Sequence, residues 1–298
     1  MSRRSLSFGF FILVLVFAGT TLACSFTVNL PSLPSLPAVD VKTGPIREES
    51  IEVPAPSAES AQVTINFGAG NLNLAPGAEN ALIQGTATYN VEDLKPVIET
   101  NSNRVRLSTG ELKIRGIPSF DNNLKNVWEL KLGDLPMNLS INAGAYQGRF
   151  ELGGVPLQTL DVTDGASNVE LSFSEPNPVE MSSLRYETGA SDVTLTGLGN
   201  ANFDNMIFRS GAGDYLLDFT GTLQRDAEAE VRSGISQVSL AVPEEMNVVV
   251  IFSGGLTNID TTGNWQKSGD EEYTHQGSGP TLTIRVEMGA GSLRLSSQ

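Results

Sequence analysis

The sequence predicts an all-β chain wound as a β-solenoid with turns of about 22 residues, and three observations carry that expectation. Glycines recur at near-constant spacing, apolar and polar residues alternate on both sides of each glycine, and only 225–231 has helical character. The glycines are Gly68, Gly144, Gly165, Gly189, Gly211, Gly234, Gly255 and Gly289. From Gly144 to Gly255 the successive intervals are 21, 24, 22, 23 and 21 residues. A β-sandwich, the alternative architecture, spaces its strands less evenly.

Alignment on the glycine gives columns. Three residues before it stand Ile65, Ile141, Val162, Tyr186, Phe208, Val231, Phe252 and Val286. Five before it stand Val63, Leu139, Leu160, Leu184, Met206, Ala229, Val250 and Ile284. All sixteen are apolar, whereas the position two before is polar throughout: Asn66, Asn142, Thr163, Glu187, Arg209, Arg232, Ser253 and Glu287. Period-two alternation of this kind gives one buried and one wet face. Four and six residues after the glycine the apolar pattern resumes, with Gly148 and Thr261 as the exceptions. Each repeat therefore reads as two short strands flanking a corner. The corner needs glycine for a positive φ, and small neighbours so that one corner stacks on the next.

Two stretches break the period. Gly68 to Gly144 spans 76 residues and is expected to hold about three looser repeats, marked by Gly85 and Gly110. Gly255 to Gly289 spans 34, and residues 264–280 are expected to protrude as a hairpin with a Gly269-Asp270 turn.

The N-terminus reads as an export address. Arg3 and Arg4 precede an apolar stretch from Phe8 to Ala18, then Thr21-Leu22-Ala23-Cys24. The stretch is short for a spanning helix, which needs about 20 residues, and fits a cleaved signal peptide over 1–23. The chain's single Cys stands where a bacterial lipoprotein carries its acylated first residue, with Thr21 in a place where Leu is usual. A plain secretory leader is the other reading, and the paired arginines also fit twin-arginine export. A Pro-rich linker follows over 24–44, then a first module over 45–143 and the regular repeats over 144–298.

The segments Gly-Ala-Gly-Asn-Leu-Asn-Leu (68–74), Gly-Thr-Ala-Thr-Tyr-Asn-Val (85–91), Gly-Ala-Ser-Asp-Val-Thr-Leu (189–195) and Gly-Ala-Gly-Ser-Leu-Arg-Leu (289–295) are similar to those of the bacterial toast-rack, adhesin-like β-helix family. The hairpin with Trp265 and Tyr273 fits the same pattern. The resemblance runs from about residue 44 to the end and includes an N-terminal toast-rack module. It implies a right-handed β-helix at the cell envelope, with relatives in adhesion or envelope-stress signalling, and supplies no catalytic residues.

Composition narrows the chemistry. With 19 basic against 34 acidic residues the net charge is −15, which disfavours a nucleic-acid surface. One Cys and one His exclude a disulfide framework and the usual zinc sites. His275, in the hairpin, is expected to be a solvated loop residue unable to serve a Ser-His-Asp triad. Asp161 with Asp164, and Asp214 with Asp218, are expected at ordinary polar positions rather than as a paired-carboxylate site. Asn168, Asp192 and Asp214 share one slot beside successive corners and read as a polar ladder more than a calcium site. The expectation is thus no catalytic residue, no metal and no cofactor. Cys24 is the lipidation site, and Trp265 and Tyr273 are the candidate binding residues. Those rings can meet a partner or fold back over an open solenoid end. The expected function is an envelope-anchored, non-catalytic binding or structural module whose partners are the membrane and an envelope protein or glycan. A carbohydrate-active β-helix enzyme and an accessory of envelope-stress signalling are the alternatives.

Overall fold

The computed structural model describes residues 38–41, 43–110, 117–120 and 123–297. The leader, Cys24 and most of the 24–44 linker lie outside the described residues. In chain order the strands begin with β1 (Ala38–Val41), β2 (Arg47–Pro54), β3 (Ala61–Pro76), β4 (Ala81–Tyr89) and β5 (Pro96–Asn101). Then come β6 (Arg104–Thr109), β7 (Ile117–Phe120), β8 (Asn126–Leu132), β9 (Met137–Glu151) and β10 (Leu157–Ser172). The last are β11 (Met181–Thr196), β12 (Phe203–Asp218), β13 (Ala227–Val242), β14 (Asn247–Thr262), β15 (Trp265–Ser268), β16 (Glu272–His275) and β17 (Thr281–Ser297).

Eight long strands, β3, β9 to β14 and β17, each run continuously through one of the eight glycines. They lie parallel in the order β3, β9, β10, β11, β12, β13, β17, β14. Equivalent positions are in register through the whole stack, so that Ile65, Ile141, Val162, Tyr186, Phe208, Val231, Val286 and Phe252 form one file. All sixteen residues of the two columns before the glycine are buried, none more than 9% exposed. Each such aliphatic side chain contributes about 1.5–3 kcal/mol by leaving water. The expected β-solenoid is what the chain forms.

The two column exceptions have physical causes. A Cβ on Gly148 would lie 2.9 Å from the Tyr146 ring and 3.0 Å from that of Phe150, so these aromatics occupy its space. Thr261 is exposed because β14 is the last long layer and, among the described residues, no strand pairs with its second half from above.

The corner glycines differ from expectation in their reason for being glycine. None of the eight has a positive φ. A Cβ on Gly144, Gly189, Gly211, Gly234 or Gly255 would instead stand 2.4–2.5 Å from the carbonyl oxygen of the glycine one layer away. The corner is closed to side chains by close backbone approach. Within the corners, positive φ occurs at the second glycine of some, as at Gly70 (+125°) and Gly213 (+149°).

The order of layers also departs from simple winding. Gly68 stacks directly on Gly144, and the 75 residues between them do not form three intervening turns. They run instead to the far side of β3, where β6 covers its first half and β8 its second, both parallel. Antiparallel strands finish that end: β5 on β6, then β4 on β8 and β2 on β4. At the other end β14 is outermost and β17 enters between it and β13. The first and last long strands are therefore each held between two parallel neighbours, which keeps either from fraying. No break in the sheet falls at 143/144, and Val39–Gln298 forms one compact unit.

The return loops are pinned by buried amides. The Asn177 side chain donates to the carbonyls of Leu157 and Ala201 and accepts from the Leu157 N–H, tying three successive turns.

Candidate functional site

Three surfaces and one buried cluster hold the side chains capable of recognition or chemistry. The hairpin comes first. Residues Glu272–His275 of β16 pair antiparallel with Val248–Ile251 of β14, and β15 pairs with β16. Alternation along β16 turns Tyr273 and His275 onto the core, 8% and 3% exposed. His275 is therefore not a solvated loop residue: its Nδ1 bonds the Met246 carbonyl at 2.9 Å and its ring lies 5.5 Å from that of Trp265. Lys267 Nζ sits 5.7 Å from the Tyr273 ring centre. Both aromatic rings thus form part of a lid over the first half of β14, where a bare edge would otherwise expose Val250 and Phe252. Trp265, half-buried, is the one of the two that keeps surface for a partner.

The second surface is the outward face beside the corners. Asn168, Asp192, Asp214 and Gln237 occupy adjacent register positions, as expected from their common slot. A second ladder links Arg185, Glu187, Arg209, Glu230, Arg232 and Glu287 through successive N···O contacts of 2.5, 3.2, 3.7, 2.9 and 3.3 Å. The Arg185 hydrogen bond, with Arg209 adding to it, holds the Glu187 carboxyl below the ordinary carboxylate value. These pairs are half-exposed and each is worth at most about 1 kcal/mol.

The third is a shallow groove of about 760 Å³ across β2, β4, β8, β3 and β9. Small side chains, Ser50, Ala75 and Thr86, line it together with Gln84, Glu129, Lys131, Arg149 and Glu151. Glu129 and Lys131 enter no ion pair among the described residues, so their heads are available to a ligand. Glu151, at the groove's end, accepts from the Ser172 hydroxyl, the Gly153 N–H and both the N–H and hydroxyl of Ser174. Partial burial pushes its carboxyl up, but these donors prevail and hold it below 4.5. A depressed folded value stabilises above the unfolded value and is lost as pH falls through the folded one. Glu151→Gln is expected to flatten the decline of stability between neutral pH and about pH 3 by less than about 1 kcal/mol, measured by urea titration at each pH.

The buried cluster went unread in the sequence. Asp161 and Asp164 do not share a surface: Asp161 is half-exposed on the outer face, whereas Asp164 points inward and is 7% exposed. The Tyr146 and Tyr186 hydroxyls donate to Asp164 Oδ2 at 3.2 and 2.8 Å, and the Thr188 hydroxyl donates to Oδ1. Thr188 continues to Ser191, which receives the Ser167 N–H and hydroxyl at 3.0 Å. Burial, reinforced by Asp164, pushes both tyrosines well above the ordinary phenol range. The group is filled solid and joins three layers, β9, β10 and β11, from inside. Asp214 and Asp218 are both at least half-exposed, and Asp218 accepts the Thr220 N–H at 2.8 Å.

Residues 42–182 match the sequence profile of a family described as the N-terminal domain of toast_rack. No curated protein matches the chain. Among solved structures, a candidate cell adhesion protein from Clostridium sporogenes is 19% identical, with 85% of this chain and all of that one covered and a TM-score of 0.49. A candidate adhesin from Parabacteroides merdae is 10% identical over 87% of this chain and 98% of that one, TM-score 0.41. A candidate lipid-binding protein from Parabacteroides distasonis is 10% identical over 87% and 99%, TM-score 0.42.

Proposed function

We propose, for a chain whose residues 42–182 match the N-terminal domain family of toast_rack, a non-catalytic binding role at the outer surface of a bacterial membrane, held there by lipid on Cys24. The observation that carries the binding role is the groove over β2, β4, β8, β3 and β9, lined by Gln84, Glu129, Lys131 and Arg149 among smaller residues. The five strands beneath it are paired side by side in one continuous sheet, so little ordering is needed when a partner docks. The groove is open to solvent, which suits recognition of a glycan or an envelope protein better than proton transfer in a dry site.

The anchor is supported by the basic start, the short apolar stretch and the position of the only Cys. Removal of the leader before Cys24 takes away two Arg and no acid, leaving 17 − 34 = −17. Anionic lipid repels such a body, so acyl burial, at about 0.8 kcal/mol per CH₂, must supply the attachment.

Fractionation of cells tests the reading. The wild type is expected in the membrane pellet and Cys24→Ser, once exported and processed, in the soluble fraction. Sedimentation of the processed variant with membranes would refute the lipid anchor. Turnover of any polysaccharide in a panel by the purified protein would refute the non-catalytic role.

A further inference from the structure

We infer that the outer edge of β14 from Leu256 to Thr262 is a docking site for an extended, neutral-to-basic strand of a partner protein. The ends of the stack present four half-layers. Three are covered by antiparallel strands of this chain: β6 by β5, β8 by β4, and the first half of β14 by β16. The fourth, the second half of β14, pairs with nothing on its outer side among the described residues. Its backbone donors and acceptors are the ready template that strand addition uses.

The side chains there fit an absent cover. Leu256 is 88% exposed, the most exposed large apolar residue described, and Ile235 is 67% exposed. Both flank Ala290 in register, so they form one apolar corner. Ile259 is only half-buried, whereas its counterparts Val238 and Leu293 in the layers beneath are fully buried. Lone exposed apolar residues are ordinary, but here Leu256 and the incompletely covered Ile259 both lie on the strand whose backbone edge is unpaired.

The occupant follows from the geometry and charge. Every other end strand of this stack is antiparallel, so an antiparallel strand fits the local twist and register. An apolar residue on its inner face would cover Ile259, and a Lys or Arg on its outer face would meet Asp260. A second copy fits poorly, because both copies carry the same negative charge, −15.

The inference rests on the binding-module reading only in giving that module a protein partner, and its test is independent of the anchor. The full-length chain in detergent micelles is titrated with synthetic seven-residue peptides of alternating Val and Thr carrying two Lys, no charge, or two Glu. Amide exchange at 256–262 is expected to slow at least tenfold, and affinity to fall in the order Lys, neutral, Glu. Backbone N-methylation of the peptide is expected to abolish the effect. Asp260→Lys is expected to reverse the charge order, and Leu256→Asp to weaken binding at least fivefold; neither side chain is buried, so both variants fold. No slowing with any peptide would overturn the inference, as would unchanged affinities in both variants. Slowing without peptide that grows with protein concentration would also overturn it, in favour of self-pairing.

Discussion

Gly189→Ala is expected to lower the stability of the stack by about 3 kcal/mol or more, although the change adds a single methyl group to an exposed corner. The methyl carbon would stand 2.4 Å from the Gly165 carbonyl oxygen, whose flanking residues Asp164 and Ala166 are laddered to β9 while Thr163 and Asn168 on either side are laddered to β11. Neither chain can withdraw without losing hydrogen bonds along a sixteen-residue strand. Alanine reduces the entropy of the unfolded chain and on that ground alone would stabilise by about 0.4–1 kcal/mol, so the clash must exceed this to show. The argument therefore predicts an order. Gly211→Ala, at 2.5 Å, should match Gly189→Ala, whereas Gly165→Ala, at 3.1 Å from the Gly144 oxygen, should lose much less. Gly44→Ala, whose nearest neighbour is 3.6 Å away, should be neutral or slightly stabilising. Urea midpoints for the four variants decide the matter: equal losses at all four positions would show that conformational freedom, and not close approach, is what the corners require. Since neighbouring layers are the unit of cooperation in a solenoid, the Gly189 variant should also show a broadened transition as the halves on either side melt separately.

The ease with which the corners and columns were read has a plain cause. Each layer buries the same positions against the same positions of its neighbours, so the sequence repeats the demand eight times and chance apolar residues average out. That same equivalence hides the order of layers. Val231 can stack as well on Phe252 as on Val286, and nothing in the columns says that β17 enters between β13 and β14. The stretch from Gly68 to Gly144 misled for a related reason. Gly85 resembles a corner, yet it lies in antiparallel β4, where a Cβ would stand 2.0 Å from the Glu129 carbonyl oxygen. His275 was misread because Gly and acidic neighbours suggest a loop. The alternation Glu272-Tyr273-Thr274-His275 already held the signal that Tyr and His share a face. Asp164 had no such signal. Its column, immediately before the glycine, runs Phe67, Ala143, Asp164, Thr188, Ser210, Ser233, Gly254 and Met288, apolar at the ends and polar in the middle. Hydrogen bonding between layers, which no single-layer pattern displays, makes that mixture tolerable inside.

Asp164→Leu is expected to destabilise by about 3–6 kcal/mol, since three buried hydroxyl donors, on Tyr146, Tyr186 and Thr188, each lose their acceptor at about 1–3 kcal/mol. Asp164→Asn should lose under about 2 kcal/mol, because its remaining oxygen can accept from both tyrosines while the Thr188 hydroxyl rotates to accept from the amide. The contrast separates the two ways in which the residue could act. If acceptor geometry matters, Asn rescues most of the loss; if the site is merely space, Leu is tolerated as well as Asn, and urea midpoints tell these apart. The tyrosines give a second readout. Their folded values lie above the unfolded value of 10, so their contribution is complete below that pH. It is lost as pH rises beyond it, because the unfolded chain releases phenolic protons that the folded chain retains. Absorbance of tyrosinate from Tyr146 and Tyr186, taken as the difference from a Tyr146→Phe/Tyr186→Phe variant, should therefore appear only together with loss of the β signal in circular dichroism. Ionisation of either ring while the sheet remains intact would mean that the cluster opens to water, and that the layers around Asp164 are joined less firmly than their hydrogen bonds require.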